Sequence, residues 1–277
     1  MLAFLMAVMP AVCLAAENGL SANMRQAEAA IGREDYAQAA RHLDAACRQG
    51  GALGCYDLAV LEHEGLAGPR NLARAAAFNR RACDLGNIDG CANLGTQLLT
   101  GDGVPADRRR AKPLLERSCR YESPSGCFGL ALLQEGLFGG RADTLKGLPV
   151  LEHACRIGHA EACYRRGHQL AQSAKVPDWH AAASWYNAAC EGGLAAGCNA
   201  LGVLAGEGKG GPVDPERALR LFRQACESGS ATGCRNLGNL IGQGTLGPID
   251  RAAANAAIAR AAAIESGQIA GQRQPMP

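Results

Sequence analysis

The strongest constraint on this chain is a pair of cysteines, seven residues between them, that recurs at a nearly fixed period. The pairs are Cys47/Cys55, Cys83/Cys91, Cys119/Cys127, Cys155/Cys163, Cys190/Cys198 and Cys226/Cys234. Their first members stand 36, 36, 36, 35 and 36 residues apart, while the spacing inside the pair never changes. Such a period signals a tandem array, in which each unit is a supersecondary element that buries its apolar face against its neighbours. The composition suits slim helices more than a thick core. Only 4% of residues are aromatic, 36 are Gly, and the 48% counted hydrophobic come chiefly from Ala and Leu. A formal charge of +2 gives no general attraction to nucleic acid or an anionic membrane, so neither is expected as a partner.

Residues 1–16 form an apolar run broken by Pro10 and ending in Ala15-Ala16 before polar Glu17-Asn18-Gly19. The run is short for a membrane span, which needs about 20 residues, and it has the small-residue end of a secretory signal peptide. A basic start is missing. The expectation is export with residues 1–16 removed, leaving no membrane span in the mature chain and a periplasmic or extracellular location. A lipoprotein site at Cys13 is the rival reading, opposed by the bulk of Val12; an uncleaved buried helix is the third.

Removal of the leader takes Cys13 and leaves twelve of the thirteen cysteines. An even number at regular spacing in an exported chain reads as a disulfide framework. The two members of a pair flank a short turn and can face each other. Equivalent cysteines of successive units would lie about 8–10 Å apart by helix-packing distances, whereas a cystine spans about 4.4–6.8 Å between Cα atoms. Pairing within the unit is therefore expected, each bridge closing a loop of about nine residues and contributing about 2–3 kcal/mol. Zinc ligation is the alternative, with no Cys-x2-Cys to favour it.

Counting from Asp35, one column holds Asn71, Asp107, Asp143, Asp178, Asp214 and Asp250, residues that cap helix N-termini. A first helix then runs to Gly50, Gly86, Gly158, Gly193 or Gly229, suited to the left-handed residue past a helix end. The third unit has Tyr121-Glu122-Ser123-Pro124 instead, which reads as a more rigid turn. A second helix carries Leu58, Leu94, Leu130, Leu201 and Leu237 in one column. Beside it runs a column of small residues, Ala59, Gly95, Ala131, Gly167, Gly202 and Gly238, that permits close backbone approach. The expected organisation is a capping helix over 17–34 and six helix-turn-helix repeats over 35–249, divided as 35–70, 71–106, 107–142, 143–177, 178–213 and 214–249. A capping helix over 250–264 and a disordered tail over 265–277 complete it.

The stretch Cys91-Ala92-Asn93-Leu94-Gly95 through Gly101-Asp102-Gly103-Val104 to Asp107 and Ala111 resembles a Sel1-like repeat, a relative of the tetratricopeptide repeat. Cys198-Asn199-Ala200-Leu201-Gly202 and Cys234-Arg235-Asn236-Leu237-Gly238 repeat it. The resemblance implies an all-α, right-handed α-solenoid. With its paired cysteines the chain resembles the Helicobacter cysteine-rich proteins, which implies secretion, one disulfide per repeat, and a label of β-lactamase or penicillin-binding protein. Repeat four departs, with Arg165-Arg166-Gly167-His168 in place of the Leu and one residue fewer, which puts its packing with repeat five in question.

The residues do not supply hydrolase chemistry. No Ser has a Lys three residues on, and neither Ser-Asp-Asn nor Lys-Thr-Gly occurs. His42, His63, His153, His159, His168 and His180 contain no His-x-His or His-x3-His; convergence of His153, His159 and His168 is the weaker alternative to packed or solvated side chains. No catalytic, metal or cofactor residue is assigned. Trp179, Trp185 and Tyr186 cluster at helical spacing and are expected in the core. The Gly-rich turns follow helices, not strands, so they lack the context of a dinucleotide loop.

A binding surface is the remaining reading. Stacked repeats present a concave face, expected to be lined by the first helices. On those helices, residues 3, 6, 10 and 13 past the cap share one side. In the first four repeats that side holds Arg41, Arg48, Arg74, Arg81, Arg110, Arg117, Arg120, Lys146 and Arg156 against Asp84; repeats five and six place Arg217 and Arg220 against Glu191 and Glu227. Arg74, Arg81, Arg110, Arg117 and Lys146 are the candidate ligand residues, for an acidic protein or peptide partner. A solvated helix face is the plain alternative. The β-lactamase label implies a second class of ligand, β-lactams or peptidoglycan fragments.

Overall fold

The computed structural model describes residues 8–139, 143–173 and 176–268, with side chains from residue 19 onward except at 144. Among these residues fourteen helices form and no strand. Helix α1 (Val8–Ile31) comes first. Each period then contributes a first and a second helix: α2 (Tyr36–Arg48) and α3 (Ala52–Glu64), α4 (Leu72–Asp84) and α5 (Ile88–Thr100), α6 (Arg108–Arg120) and α7 (Pro124–Gln134). The series continues with α8 (Thr144–Arg156) and α9 (Ala160–Ala171), α10 (Trp179–Glu191) and α11 (Ala195–Glu207), α12 (Pro215–Glu227) and α13 (Ala231–Gly242), and closes on α14 (Arg251–Glu265).

Local chemistry sets these boundaries. Asp35, Asn71, Asp107, Asp143, Asp178, Asp214 and Asp250 each accept the backbone N–H three residues on, at 2.8–3.3 Å. One free N–H at each first-helix start is thereby satisfied. The turn that follows needs a residue at positive φ, supplied by Gly50, Gly86, Gly158, Gly193 and Gly229. Repeat three keeps the same geometry with a side chain present: Glu122 has φ 58°, which costs about 1 kcal/mol.

Each turn is closed by its cystine. All six expected pairs form: Cys47–Cys55, Cys83–Cys91 and Cys119–Cys127, then Cys155–Cys163, Cys190–Cys198 and Cys226–Cys234, with Cα atoms 4.3–4.8 Å apart. The departures of repeat four leave its staple intact. Cys163 is buried on α9 and bonded to Cys155, and their Cα separation of 4.8 Å is the widest of the six.

Two columns of small residues let the helices approach. A Cβ on Gly95 would lie 2.8 Å from Leu115, one on Gly167 2.8 Å from Tyr186, and one on Gly202 2.7 Å from Phe222. These contacts join a second helix to the first helix that follows, and the one at Gly167 packs repeat four on repeat five. The other column is the residue before each second cysteine: Gly54, Gly90, Gly126, Gly197 and Gly233. A Cβ there would fall 2.4–2.8 Å from Ala46, Ala82, Ser118, Ala189 or Ala225, so it brings the two helices of one repeat together at the cystine. Before Cys163 the column holds Ala162, itself fully buried.

The chain divides into two compact units, Met1–Val150 and Leu151–Pro277. In the first, Leu43, Leu58 and Leu61 pack with Ala27 and Ala30 of α1, and Leu94, Leu98, Leu115, Leu130 and Leu133 form a further cluster. Between those clusters the core turns polar. Asn79 and Gln97 occupy the places held by Leu115 and Leu133 one repeat on, both are buried, and Asn79 Nδ2 donates to Gln97 Oε1 at 3.1 Å. In the second unit, Tyr186 packs with Leu201 and Leu204, and Phe222 with Leu237. Repeat four sets Arg166 in the Leu column, half-buried, its Nε donating to Glu152 at 2.9 Å.

Of the expected leader, residues 1–7 lie outside the described residues and 8–16 continue into α1. Of the expected tail, Glu265 ends α14, 266–268 form a turn, and 269–277 lie outside the described residues.

Candidate functional site

First helices bury the residues 4, 8, 11 and 12 past the cap, as Ala111, Leu115 and Ser118 show for α6. The opposite side faces water, and there the first unit concentrates positive charge. Arg74, Arg81, Arg110, Arg117 and Lys146 are all exposed, on α4, α6 and α8. Successive repeats set Arg74, Arg110 and Lys146 in one column and Arg81 and Arg117 in another, seven residues further along the helix. Three of the five are engaged. Arg74 Nη2 pairs with Glu62 at 2.8 Å, Arg81 Nε donates to the carbonyl of Cys47 at 3.3 Å, and Lys146 Nζ pairs with Asp143 at 2.9 Å. The Asp143 partner raises the Lys146 pKa.

Among the described residues, Arg110 and Arg117 carry no ion pair. They stand on the most basic helix, α6, which also has Arg108, Arg109, Lys112 and Arg120 against Glu116. Lys112 lies 3.7 Å from Glu116, and Arg108 donates to the Leu133 carbonyl at 3.3 Å. Two guanidiniums free of local partners can take carboxylates bidentately. In the second unit, Arg217 and Arg220 are exposed on α12, and Glu191 on α10 accepts from Asn187 Nδ2 at 2.8 Å.

Sequence reasoning missed Glu62, which neutralises Arg74 from the second helix. Its signal was an acid in a column otherwise holding Leu98, Gln134, Leu170, Ala205 and Ile241. It also missed an acidic spot on the second-helix side, where half-buried Asp57 has its pKa raised to about 6 by burial and then by Glu28. Tyr56 beside it is pushed up by burial and by Asp89.

His159 and His168 take structural places. His159 caps α9, its Nδ1 accepting from Ala162 N at 3.3 Å, and burial lowers its pKa to about 4. His168 stacks near Tyr164, with 6.1 Å between ring centroids. Among the described residues, His153, His159 and His168 do not gather into a metal-binding group. Tyr186 is buried beside Tyr164, and burial raises its pKa to about 12. Trp179 is half-buried under the Lys209 ammonium, 4.8 Å from the ring centre. No helix among the described residues is long and apolar enough to cross a membrane.

The Sel1 repeat family model matches residues 14–51, 52–87, 88–120, 160–194 and 195–230, more than half of the chain. The chain belongs to the Sel1 repeat family. Each match covers a second-type helix and the first helix after it, so the cystine Cys47–Cys55 joins one matched segment to the next, as Cys83–Cys91 and Cys190–Cys198 also do. Residues 121–159 fall between matches. There Cys119 and Cys163 are matched while their partners Cys127 and Cys155 are not, yet both cystines form.

No curated protein matches the chain. Among solved structures, a Sel1 repeat protein from Oxalobacter formigenes is similar at 20% identity and TM-score 0.72, over 86% of this chain and 98% of that one. A protective antigen of uropathogenic Escherichia coli with an SLR fold matches at 21% and 0.51, over 93% and 67%. An immunity protein from Pseudomonas aeruginosa matches at 19% and 0.55, over 78% and 82%. These likenesses establish the α-solenoid fold of Sel1 repeats. They give no support to β-lactam or peptidoglycan ligands.

Proposed function

We propose that this Sel1 repeat protein is an exported, cystine-stapled scaffold that binds a protein partner through an acidic segment laid across its first helices. The observation that carries this reading is the unpaired, exposed Arg110 and Arg117 on α6, flanked by Arg74, Arg81 and Lys146. Helical repeat stacks present extended surfaces of this kind to protein partners. The six cystines support an oxidising compartment outside the cytosol.

The test is binding of the partner recovered from cell-envelope extract. Reversing Arg110→Glu together with Arg117→Glu is expected to weaken binding at least tenfold, and affinity for the unaltered chain should fall as salt screens the charges. Unchanged affinity in the double variant refutes the basic face as the binding site.

A further inference from the structure

A cleft of about 330 Å³ opens between α13 and α14, lined by Gly238, Asn239, Gln243, Arg251, Asn255 and Ile258. The same place in the first unit, against α5 and α6, is filled by a helix. There α7 brings Gly129 so close that a Cβ on it would lie 2.8 Å from Leu115 and 3.2 Å from Thr96 Oγ1. Leu115 and Thr96 stand at the repeat positions of Ile258 and Asn239. Leu115 is fully buried, whereas Ile258 is 42% exposed. The cleft is therefore the seat of a second helix that α14, a first helix by its Asp250 cap, does not have beside it among the described residues.

Among the described residues, helix α1 has the complementary defect. It is a second-type helix by three signs: the family match over 14–51 covers it with α2, its Ala27 and Ala30 are buried against α2 and α3 residues, and Asp35 N donates to Ala30 O as Asn71 N donates to Glu62 O. That register puts Ala27 at the place of Ala59 and Asn23 at the place of Cys55. Ala29, exposed, then stands where Gln97 meets Asn79 on the first helix of its own repeat, and Gln26, also exposed, stands at the place of Leu94. Each end of the described chain is half of a repeat, and the halves are opposite. Both lack the stapling cysteine, since Ala262 holds the first cysteine's place and Asn23 the second's.

We infer that α1 of a second copy of this chain seats in the α13–α14 cleft, joining copies head to tail by continuing the repeat stack. Continuity with the stacking interface inside the chain is what names the occupant. The contact is heterologous, so it adds copies into open chains, or closes into a ring where the rotation between copies allows. Its rim of Asn239, Gln243, Arg251 and Asn255 against Arg25 and Gln26 suits a reversible, polar interface, and no cystine locks it.

The test restores the missing staple between molecules. Asn23→Cys and Ala262→Cys proteins, purified separately with their six native cystines formed, are mixed under mild oxidation. A heterodimer linked 23–262 is expected, at least tenfold faster than with Glu28→Cys, a control on the side of α1 that faces Asp57 of the chain's own α3. Light scattering of the unaltered chain should show mass rising with concentration, and Ile258→Glu should return it to the monomer. Equal crosslinking by the control, or a monomeric mass at every concentration, overturns the inference. A cleft covered by the chain's own following residues gives that monomeric result.

Discussion

The two units of this Sel1 repeat protein share their buried columns and differ in what they show to water and to protons. Caps, cystines and small-residue contacts recur in both. Yet α4 and α6 turn four arginines outward from the first unit, while α10 in the second offers Ala181 and Ala188 at the corresponding places. The residues that must fit a neighbour in every repeat are held constant, and those that meet only solvent are free to diverge. Binding chemistry is therefore to be sought in the differences between repeats, and stability in their likenesses.

Removing a staple should have the largest effect and should not distinguish the units. Cys83→Ala with Cys91→Ala, and Cys226→Ala with Cys234→Ala, are each expected to cost about 2–3 kcal/mol in chemical denaturation. A loss confined to one unit would show that the cystines do different work in each.

Acid should separate the units in sign. In the first, folded Asp57 titrates at about 6 against an ordinary 3.8, so the folded chain holds a proton that the unfolded chain has lost. Its contribution is most favourable below pH 4 and declines as pH rises through 6. In the second, buried His159 titrates at about 4 against 6.5, so the unfolded chain takes the proton first. That unit is most stable above pH 6.5 and weakens as pH falls towards 4. His159→Asn, which keeps a capping side chain, should remove about 2 kcal/mol of this acid sensitivity. Asp57→Asn should flatten the opposite slope by about 1 kcal/mol, less because its carboxylate still reaches water. Hydrogen exchange resolved by peptide at pH 4.5 and 7 reads both; parallel responses in the two units would break the contrast.

A smaller effect is expected within the first unit, at the polar pair of its core, Asn79 and Gln97. Asn79 Oδ1 is buried without a hydrogen-bond partner. Asn79→Leu with Gln97→Leu should stabilise the chain by about 1 kcal/mol, whereas Asn79→Leu alone strands Gln97 and should destabilise it by a similar amount. Thermal melts of the three proteins decide this, and additive effects of the two substitutions would contradict it.

What the sequence disclosed follows the same division. The Asp column, the turn glycines and the cystines were legible because each acts within one turn of chain and recurs at every period. Even in repeat four, where the Leu column fails, the fixed spacing of Cys155 and Cys163 was enough to pair them. The Gly before most second cysteines recurs as well, but its reason, a helix crossing under 3 Å from its missing Cβ, exists only once two helices are placed. Departures were harder. Asn79 and Gln97 each look like a polar flaw alone, and only their contact explains both. Glu62 reaches Arg74 from another helix, and the Arg81 bond to the Cys47 carbonyl crosses repeats; no spacing rule encodes either. Glu122 could be read as replacing a Gly, but not that the left-handed turn would survive it.

The account stands first on one staple per repeat. Digestion of the purified protein under non-reducing conditions, followed by mass spectrometry, should recover six linked peptides, Cys47–Cys55 through Cys226–Cys234, and no others. Free thiols at these positions, or links between different repeats, would contradict both the fold's energetic basis and the proposed oxidising compartment.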